Sequence, residues 1–508
     1  MMSSKLVKHA IKFAKPSRYT HTQQIVNCKK FLYTSSTPDD IYSEDHYQMK
    51  SVVRKIVDNE INPFVDKWES DGSFPAHDVF KKLGNAGLLG VTKDQEYGGL
   101  GLDYTFQIAV LEELGHINCA GVTTAIGVQT DMSTPALSRF GSEKLKKEFL
   151  APSIAGDIVS CIGVSETTGG SDVAVQQEES KYGISVEIDN VNSNEARNIE
   201  LTCFLNAMPV KIAQKVDLNR ASWKKVSNIK AKLKNHIQKQ KIGIFYVADT
   251  VVSLKTNAKR RGDDLVINGH KMWITNAYQA DWICLLANTS EGASHKNKSL
   301  ICVPMNAKGI TLTKKIDKLG LRSSDTGQIF FEDVHVPVSN IIGEEGYGFM
   351  YQMMQFQEER LAAAILLLTP LEKVLNQTIE YCESREAFGY PILYNQSIHF
   401  RLAELATELE LFKALVYRTI NIYKGGQDVT MMASMCKLKG GRLARELVDS
   451  CLQFWGGMGF TNEVFVSRMY RDLRLISIGG GTDEIMLNII CKKMGILPPI
   501  PKFDLKSK

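Results

Sequence analysis

The chain lacks several features that would settle its class at once. Its ten cysteines contain no CxxC pair, and their scatter suits buried thiols in a reducing compartment better than a zinc site or a disulfide framework. No apolar run approaches the ~20 residues that a membrane-spanning helix requires. No acidic residue occurs among residues 1–38, where seven basic ones do (Lys5, Lys8, Lys12, Lys15, Arg18, Lys29, Lys30). That stretch is rich in hydroxyls and has no continuous apolar segment, which argues against a secretory signal and matches a mitochondrial transit peptide. A basic tail without an address is the plainer alternative.

What is present is size and an uneven charge. At 508 residues with 44% hydrophobic content, the chain can bury large cores and suggests two or three domains. Its formal net charge is +5, but the basic excess is confined to residues 1–38 and 181–247. The remainder is net acidic, so composition gives no ground for a nucleic-acid partner.

The texture of the body changes twice. Residues 42–157 read as a helical domain, with Val52, Val53, Ile56, Ile61 and Phe64 spaced as one buried face of a helix over Tyr47–Lys67. The glycines of EYGGLGLD (96–103) read as a plain turn, since no βαβ context surrounds them. Residues 158–342 turn to short β-branched runs: SCIGVSE, LVINGHKMWIT, WICLLAN, LICVPM, ITLTKKI and QIFFEDVHV. Within the second run, Asn268-Gly269 is the strongest short hairpin signal. Residues 343–498 are helical again, with periodic segments at 355–383, 396–424 and 431–454, and Pro370 is expected to kink or restart the first. The fold class is α+β: helices, a β domain, then a helical bundle.

Residues 178–250 do not fit this plan. Their lysine-rich run WKKVSNIKAKLKNHIQKQK reads as a functional insertion, such as a basic amphipathic helix for an anionic surface, or as translated intron. The second reading is preferred, because Ser180-Lys181-Tyr182 can be encoded with a splice donor and Ile244–Ala248 with a pyrimidine-rich acceptor. Transcript reads crossing the segment without a gap would remove it.

Five short motifs carry the chemistry. SETTGGSDV (165–173) is a small, hydroxyl-bearing loop after a strand, able to approach a ligand closely. KMWITNA (271–277) places an indole where it can cover a planar cofactor, although a core tryptophan is commoner. SREAFG (384–389) ends a helix with an arginine able to grip phosphate. QFWGGMGF (453–460) ends another with glycines. GGGTDEI (479–485) is a glycine loop entering a helix N-terminus, suited to an anion.

In this order the motifs resemble the acyl-CoA dehydrogenase family across residues 42–498, the insertion excepted; GGMGF and GGGTDEIM are similar to citronellyl-CoA dehydrogenase-like members. The resemblance implies an all-α N-terminal domain, a middle β-sheet domain and a C-terminal four-helix bundle. It implies FAD as cofactor, an acyl-CoA substrate, electron transfer flavoprotein as electron acceptor, a homodimer or homotetramer, and the mitochondrial matrix. Residue by residue, it implies that Ile162, Val164, Ser165, Glu166, Gly170 and Ser171 line the flavin, with Ser171 also near the substrate. Trp273, Ile274 and Thr275 would lie on the isoalloxazine. Arg385, Phe388, Gln396, Gln453, Gly456 and Gly457 would meet the partner subunit's FAD, and Gly481, Thr482 and Glu484 the FAD of their own subunit. Gln357 and Arg360 would touch substrate. SETTGGSD departs from the family's usual TEPxAGSD, which leaves that loop's contacts open.

The expected reaction needs a base, because the α-proton of a thioester is only weakly acidic, and donors to hold the developing enolate oxygen. In most of the family the base lies in a YEGT-like loop. Here that position is Gly480, which keeps its N–H but has no carboxylate. The long-chain and isovaleryl branches carry the base on a helix instead, and Glu359 in QFQEERLAAA matches it. Glu358 is adjacent, but helical neighbours point ~100° apart, so only one faces the flavin. The structural alternative for Glu359 is an ion pair with a nearby Arg or Lys. Helix placement goes with branched or medium-to-long acyl chains. Two other classes remain open: an acyl-CoA oxidase, disfavoured by the absence of an extra C-terminal domain or SKL ending, and a non-catalytic scaffold if the insertion blocks FAD.

Overall fold

The structure, a computed structural model, describes residues 41–167, 254–293 and 295–498. The transit-peptide and insertion readings, with Gly170 and Ser171, lie outside them.

Six helices of two turns or more open the described chain: α1 (Glu44–Ile56), α2 (Val65–Asp71), α3 (Ala76–Asn85), α4 (Tyr104–Leu114), α5 (Ala120–Gly127) and α6 (Thr134–Phe140). Ser43 starts α1 through a reciprocal cap with His46, which satisfies amides left open at the helix start. The expected single face over Tyr47–Lys67 is not what forms, because a π turn at Val57–Ile61 intervenes. The buried set is Val53, Val57, Ile61 and Val65, whereas Val52 and Phe64 are exposed. In a regular α-helix residues four apart drift around the axis; one wide turn cancels that drift. EYGGLGLD is a turn, as read, with Gly98 and Gly101 at positive φ.

The middle of the chain forms an eight-stranded sheet from β1 (Ser160–Gly163), β2 (Asn257–Arg261), β3 (Asp264–Thr275), β4 (Trp282–Asn288), β5 (Lys298–Pro304), β6 (Ile310–Leu312), β7 (Thr326–Pro337) and β8 (Ile341–Ile342). The order is β6-β7-β3-β2-β4-β5-β8, with β1 also beside β4. Both β1 and β2 run parallel to β4: Gly163 lies opposite Leu285 and Asn257 opposite Asn288. Strand β4 is buried along nearly its whole length, which explains its unbroken apolar text.

The hairpin expected at Asn268-Gly269 forms elsewhere. Arg261 pairs with Asp264 around Gly262-Asp263, and Asn268-Gly269 lies inside the continuous strand β3 at a register shift. The pair has a different use there. Asn268 exchanges two 3.0 Å hydrogen bonds with Asp333 on β7. Gly269 has φ +141°, and a Cβ would come within 2.7 Å of the Thr256 backbone. Bulges recruit the same residue types as turns.

The C-terminal part holds α7 (Gly348–Ser384), α8 (Gln396–Lys424), α9 (Thr430–Trp455), α10 (Phe465–Asp472) and α11 (Asp483–Lys493). Pro370 does not restart α7, which runs through it for 37 residues. Buried residues flank the proline, and Leu367, Leu371 and Leu375 share one core with Leu405, Phe412 and Leu447 of α8 and α9. Packing of that extent outweighs one proline's cost of about 3 kcal/mol.

Candidate active site

Helix α7 brings two adjacent carboxylates into the interior and gives them opposite environments. Glu358 is fully engaged: Arg139 of α6 donates to its two oxygens at 2.6 and 2.7 Å, and the Tyr423 hydroxyl of α8 donates at 2.5 Å. Glu359 is buried and makes no hydrogen bond or ion pair among the described residues. The ordinary ion pair is thus Glu358's. Loss of water raises the Glu359 pKa to about 7; Arg360 and Lys437 pull it down and Asp131 pushes it up. Its Oε1 lies 3.5 Å from where a Cβ on Gly480 would be. The helix carboxylate therefore occupies the space in front of the glycine loop.

That loop is shaped by its glycines. Gly480 and Gly481 have φ +62° and +94°, a region other residues enter at a cost. Thr482 caps α11, accepting from the Ile485 amide. The buried Lys437 of α9 donates to the Gly481 carbonyl, and burial lowers its pKa to about 8. Lys437 was not legible as a site residue, since a lysine within a long amphipathic helix reads as a solvated face. Gln357 accepts from Thr430, and the Arg360 guanidinium lies over the Phe356 ring.

On the sheet side, Trp273 is 60% exposed at φ +65°, on the bulge between Lys271 and Ile274. Strained backbone of this kind gathers at functional sites. Ile274 faces the core, so its backbone alone is available. Ile162 and Val164 are half-buried and Ser165 exposed. The Glu166 side chain points inward. It pairs with Lys271 at 2.9 Å, both fully buried, and accepts from the amides of Lys255 and Thr256 at 2.8 and 3.0 Å.

Arg385, Phe388, Gln396, Gln453, Gly456 and Gly457 form a second group. Stacking of Tyr381 on Trp455 holds the ends of α7 and α9 together. Phe388 is 98% exposed at φ +55°, and nothing lies within 4 Å of a Cβ on Gly456 or Gly457. Glu359 and Arg385 are separated by about 39 Å of helix at 1.5 Å per residue, so one chain does not unite the two groups.

Comparison with known proteins fixes what this arrangement belongs to. Residues 43–157, 248–334 and 346–495 match the profiles described as acyl-CoA dehydrogenase N-terminal, middle and C-terminal domain. The chain belongs to the acyl-CoA dehydrogenase family.

It is similar to the mitochondrial short-chain specific acyl-CoA dehydrogenase of Rattus norvegicus, 28% identical over 447 residues, covering 88% of this chain and 89% of the relative. Similarity to the mitochondrial long-chain specific acyl-CoA dehydrogenase of Sus scrofa is 27% over 456 residues, covering 89% and 87%. The solved acyl-CoA dehydrogenase of Geobacillus kaustophilus superposes with a TM-score of 0.71 at 28% identity, covering 89% of this chain and 98% of that one. The three-domain expectation therefore holds. Acyl-CoA dehydrogenases are FAD flavoproteins, and this chain is an oxidoreductase with FAD as its cofactor. The exposed Trp273, the positive-φ glycine loop and the open faces of Gly456 and Gly457 fit a flat cofactor with a phosphate tail. No helix among the described residues is long and apolar enough to cross a membrane.

Proposed function

We propose that the chain removes the α- and β-hydrogens of an acyl-CoA thioester, with Glu359 as the base for the α-proton. The observation that carries this is the Glu359 environment: buried, unpaired among the described residues, with a pKa near 7, facing the glycine loop. Bound FAD supplies the acceptor for the β-hydrogen as hydride. The Gly480 N–H is one donor to the thioester oxygen, stabilising the enolate charge. Lys437 holds the loop in place through Gly481 and keeps the Glu359 pKa from rising further.

Trp273, Ile274 and Thr275 would hold the flavin ring with Ile162, Val164 and Ser165, while Glu166 shapes that loop from beneath. Gly481, Thr482 and Glu484 hold the cofactor in their own subunit. The distant group around Arg385 serves the FAD of a second copy, which makes the working unit a dimer or tetramer. Ser171, Gln357 and Arg360 are the substrate contacts. Helix placement of the base favours a branched or medium-to-long acyl chain, in fatty-acid or branched-chain catabolism. Mitochondrial relatives and the basic N-terminus support the matrix as location, with electron transfer flavoprotein as acceptor.

The test is anaerobic titration of purified holoprotein with acyl-CoA thioesters of graded length and branching. Bleaching of the flavin band is expected, and Glu359→Gln should abolish it by 10²-fold or more while retaining flavin. Retained turnover in that variant would remove Glu359 from the role. A colourless protein would favour the scaffold, and rapid reoxidation by oxygen an oxidase.

A further inference from the structure

One residue from the base, α7 forms a wall of a cavity of about 380 Å³, whose lining includes Lys93, Tyr104, Gln107, Asp131, Arg139 and Glu358. A larger groove of about 660 Å³ runs along α8 past Glu410, Tyr417 and Gln427, but its lining has no residue of the α7 carboxylate cluster. The smaller cavity is tied to the base electrostatically, since Asp131 is among the groups that raise the Glu359 pKa. Asp131 lies on the π turn Val128–Ser133 between α5 and α6, a distortion frequent at functional sites.

The cavity's polar groups divide into satisfied and unsatisfied. Arg139 and Tyr423 are engaged with Glu358. Asp131 accepts from Thr130 at 2.6 Å and from Gln107 at 3.2 Å. Two buried groups have no such partner. The buried Tyr104 hydroxyl makes no hydrogen bond. The Lys93 ammonium, on a residue only 8% exposed, makes neither a hydrogen bond nor an ion pair among the described residues. Burying a donor unpaired is costly, and burying a cation more so. A hydrocarbon chain filling this space would strip Lys93 and Asp131 of water and leave the Tyr104 hydroxyl still without a partner.

We infer that the thioester carries a hydrogen-bond-accepting oxygen function, a hydroxyl or carboxylate, beyond its reacting carbons, received by Lys93 and Tyr104. This rests on Glu359 being the base and on the acyl chain running from it past α7 into the cavity that Glu358 lines. It sharpens the preference for longer chains by specifying the far end.

The experiment measures calorimetric binding of acyl-CoA thioesters of equal length to the FAD-loaded full chain, comparing plain, ω-hydroxy and ω-carboxy ends, alongside anaerobic flavin bleaching. The oxygenated thioesters should bind at least ~10-fold more tightly than the plain one, with the stronger of the two showing which oxygen function is recognised. Lys93→Met and Tyr104→Phe should each remove most of that preference. If Lys93→Met fails to fold, Tyr104→Phe gives the same reading. Equal or tighter binding of the plain chain would overturn the inference and leave the cavity to water. Preferential binding of oxygenated thioesters without any bleaching would uphold the inference for the cavity and sink Glu359 as the base.

Discussion

A base for a carbon acid works best when its pKa is close to the working pH. Glu359 arrives there chiefly by losing water, and the nearby Asp131 adds to the shift. The same shift acts on stability. The folded pKa is about 7 against an ordinary 4.5, so the folded state holds a proton that the unfolded state has already released. Below about pH 4.5 the group is protonated in both states and costs nothing. As pH rises through 4.5 to 7, the folded state loses up to about 3 kcal/mol. Glu359→Gln should therefore raise the melting temperature at pH 8, and the gain should fade toward pH 5. Equal melting at both pH values would mean that Glu359 is not held neutral by burial. For the wild type, kcat/KM should rise with pH along an acidic limb near 7.

Among the elements, β3 shows how a local signal is reassigned by its neighbours. Asn268-Gly269 has turn chemistry, yet the hairpin closes six residues earlier and the pair forms a bulge against β7. Gly269→Ala would place a methyl 2.7 Å from the Thr256 backbone at an unfavourable φ. A loss of about 2–3 kcal/mol is expected in denaturant unfolding; a loss under 0.5 kcal/mol would show that the bulge relaxes freely. The strands themselves were legible because apolar, β-branched runs bounded by turns have few other uses. The long helices were legible from their periodic apolar spacing, although Pro370 suggested a kink or restart in α7, and the helix runs through it without restarting. The π turns at Val57–Ile61 and Val128–Ser133 were not legible, since no residue type marks an extra residue in a helical turn. That is why Asp131 and its cavity escaped a reading that found Glu359 and Gly480 from motif text. Lys93 and Lys437 escaped for a related reason: charge predicts exposure, and only the assembled fold shows it buried.

At the scale of the molecule, two matched regions meet at the α7 carboxylates. The N-terminal region supplies Asp131 and Arg139 and, on the cavity lining, Lys93, while the C-terminal helices supply Lys437 and the glycine loop. Within the sheet, Glu166 joins the end of β1 to the start of β2 and to β3 by holding the amides of Lys255 and Thr256 and the Lys271 ammonium. Gly163 and Asn257 lie along one edge of β4, opposite Leu285 and Asn288. Three strand positions separate them, about 10 Å. The end of β1 and the start of β2 thus lie almost in line, so the sheet requires the residues between them to span no more than about 10 Å. Removing residues 178–250 shortens the stretch of chain between β1 and β2, and the smaller closure entropy favours folding by about 1 kcal/mol. The shortened protein should melt at the same temperature or a few degrees higher, and a drop of several degrees would show that the segment contributes packing. In engineering terms this junction is a splice point in the protein itself: the strands before and after residues 178–250 are each anchored to β4, so a cut made there leaves both anchors in place.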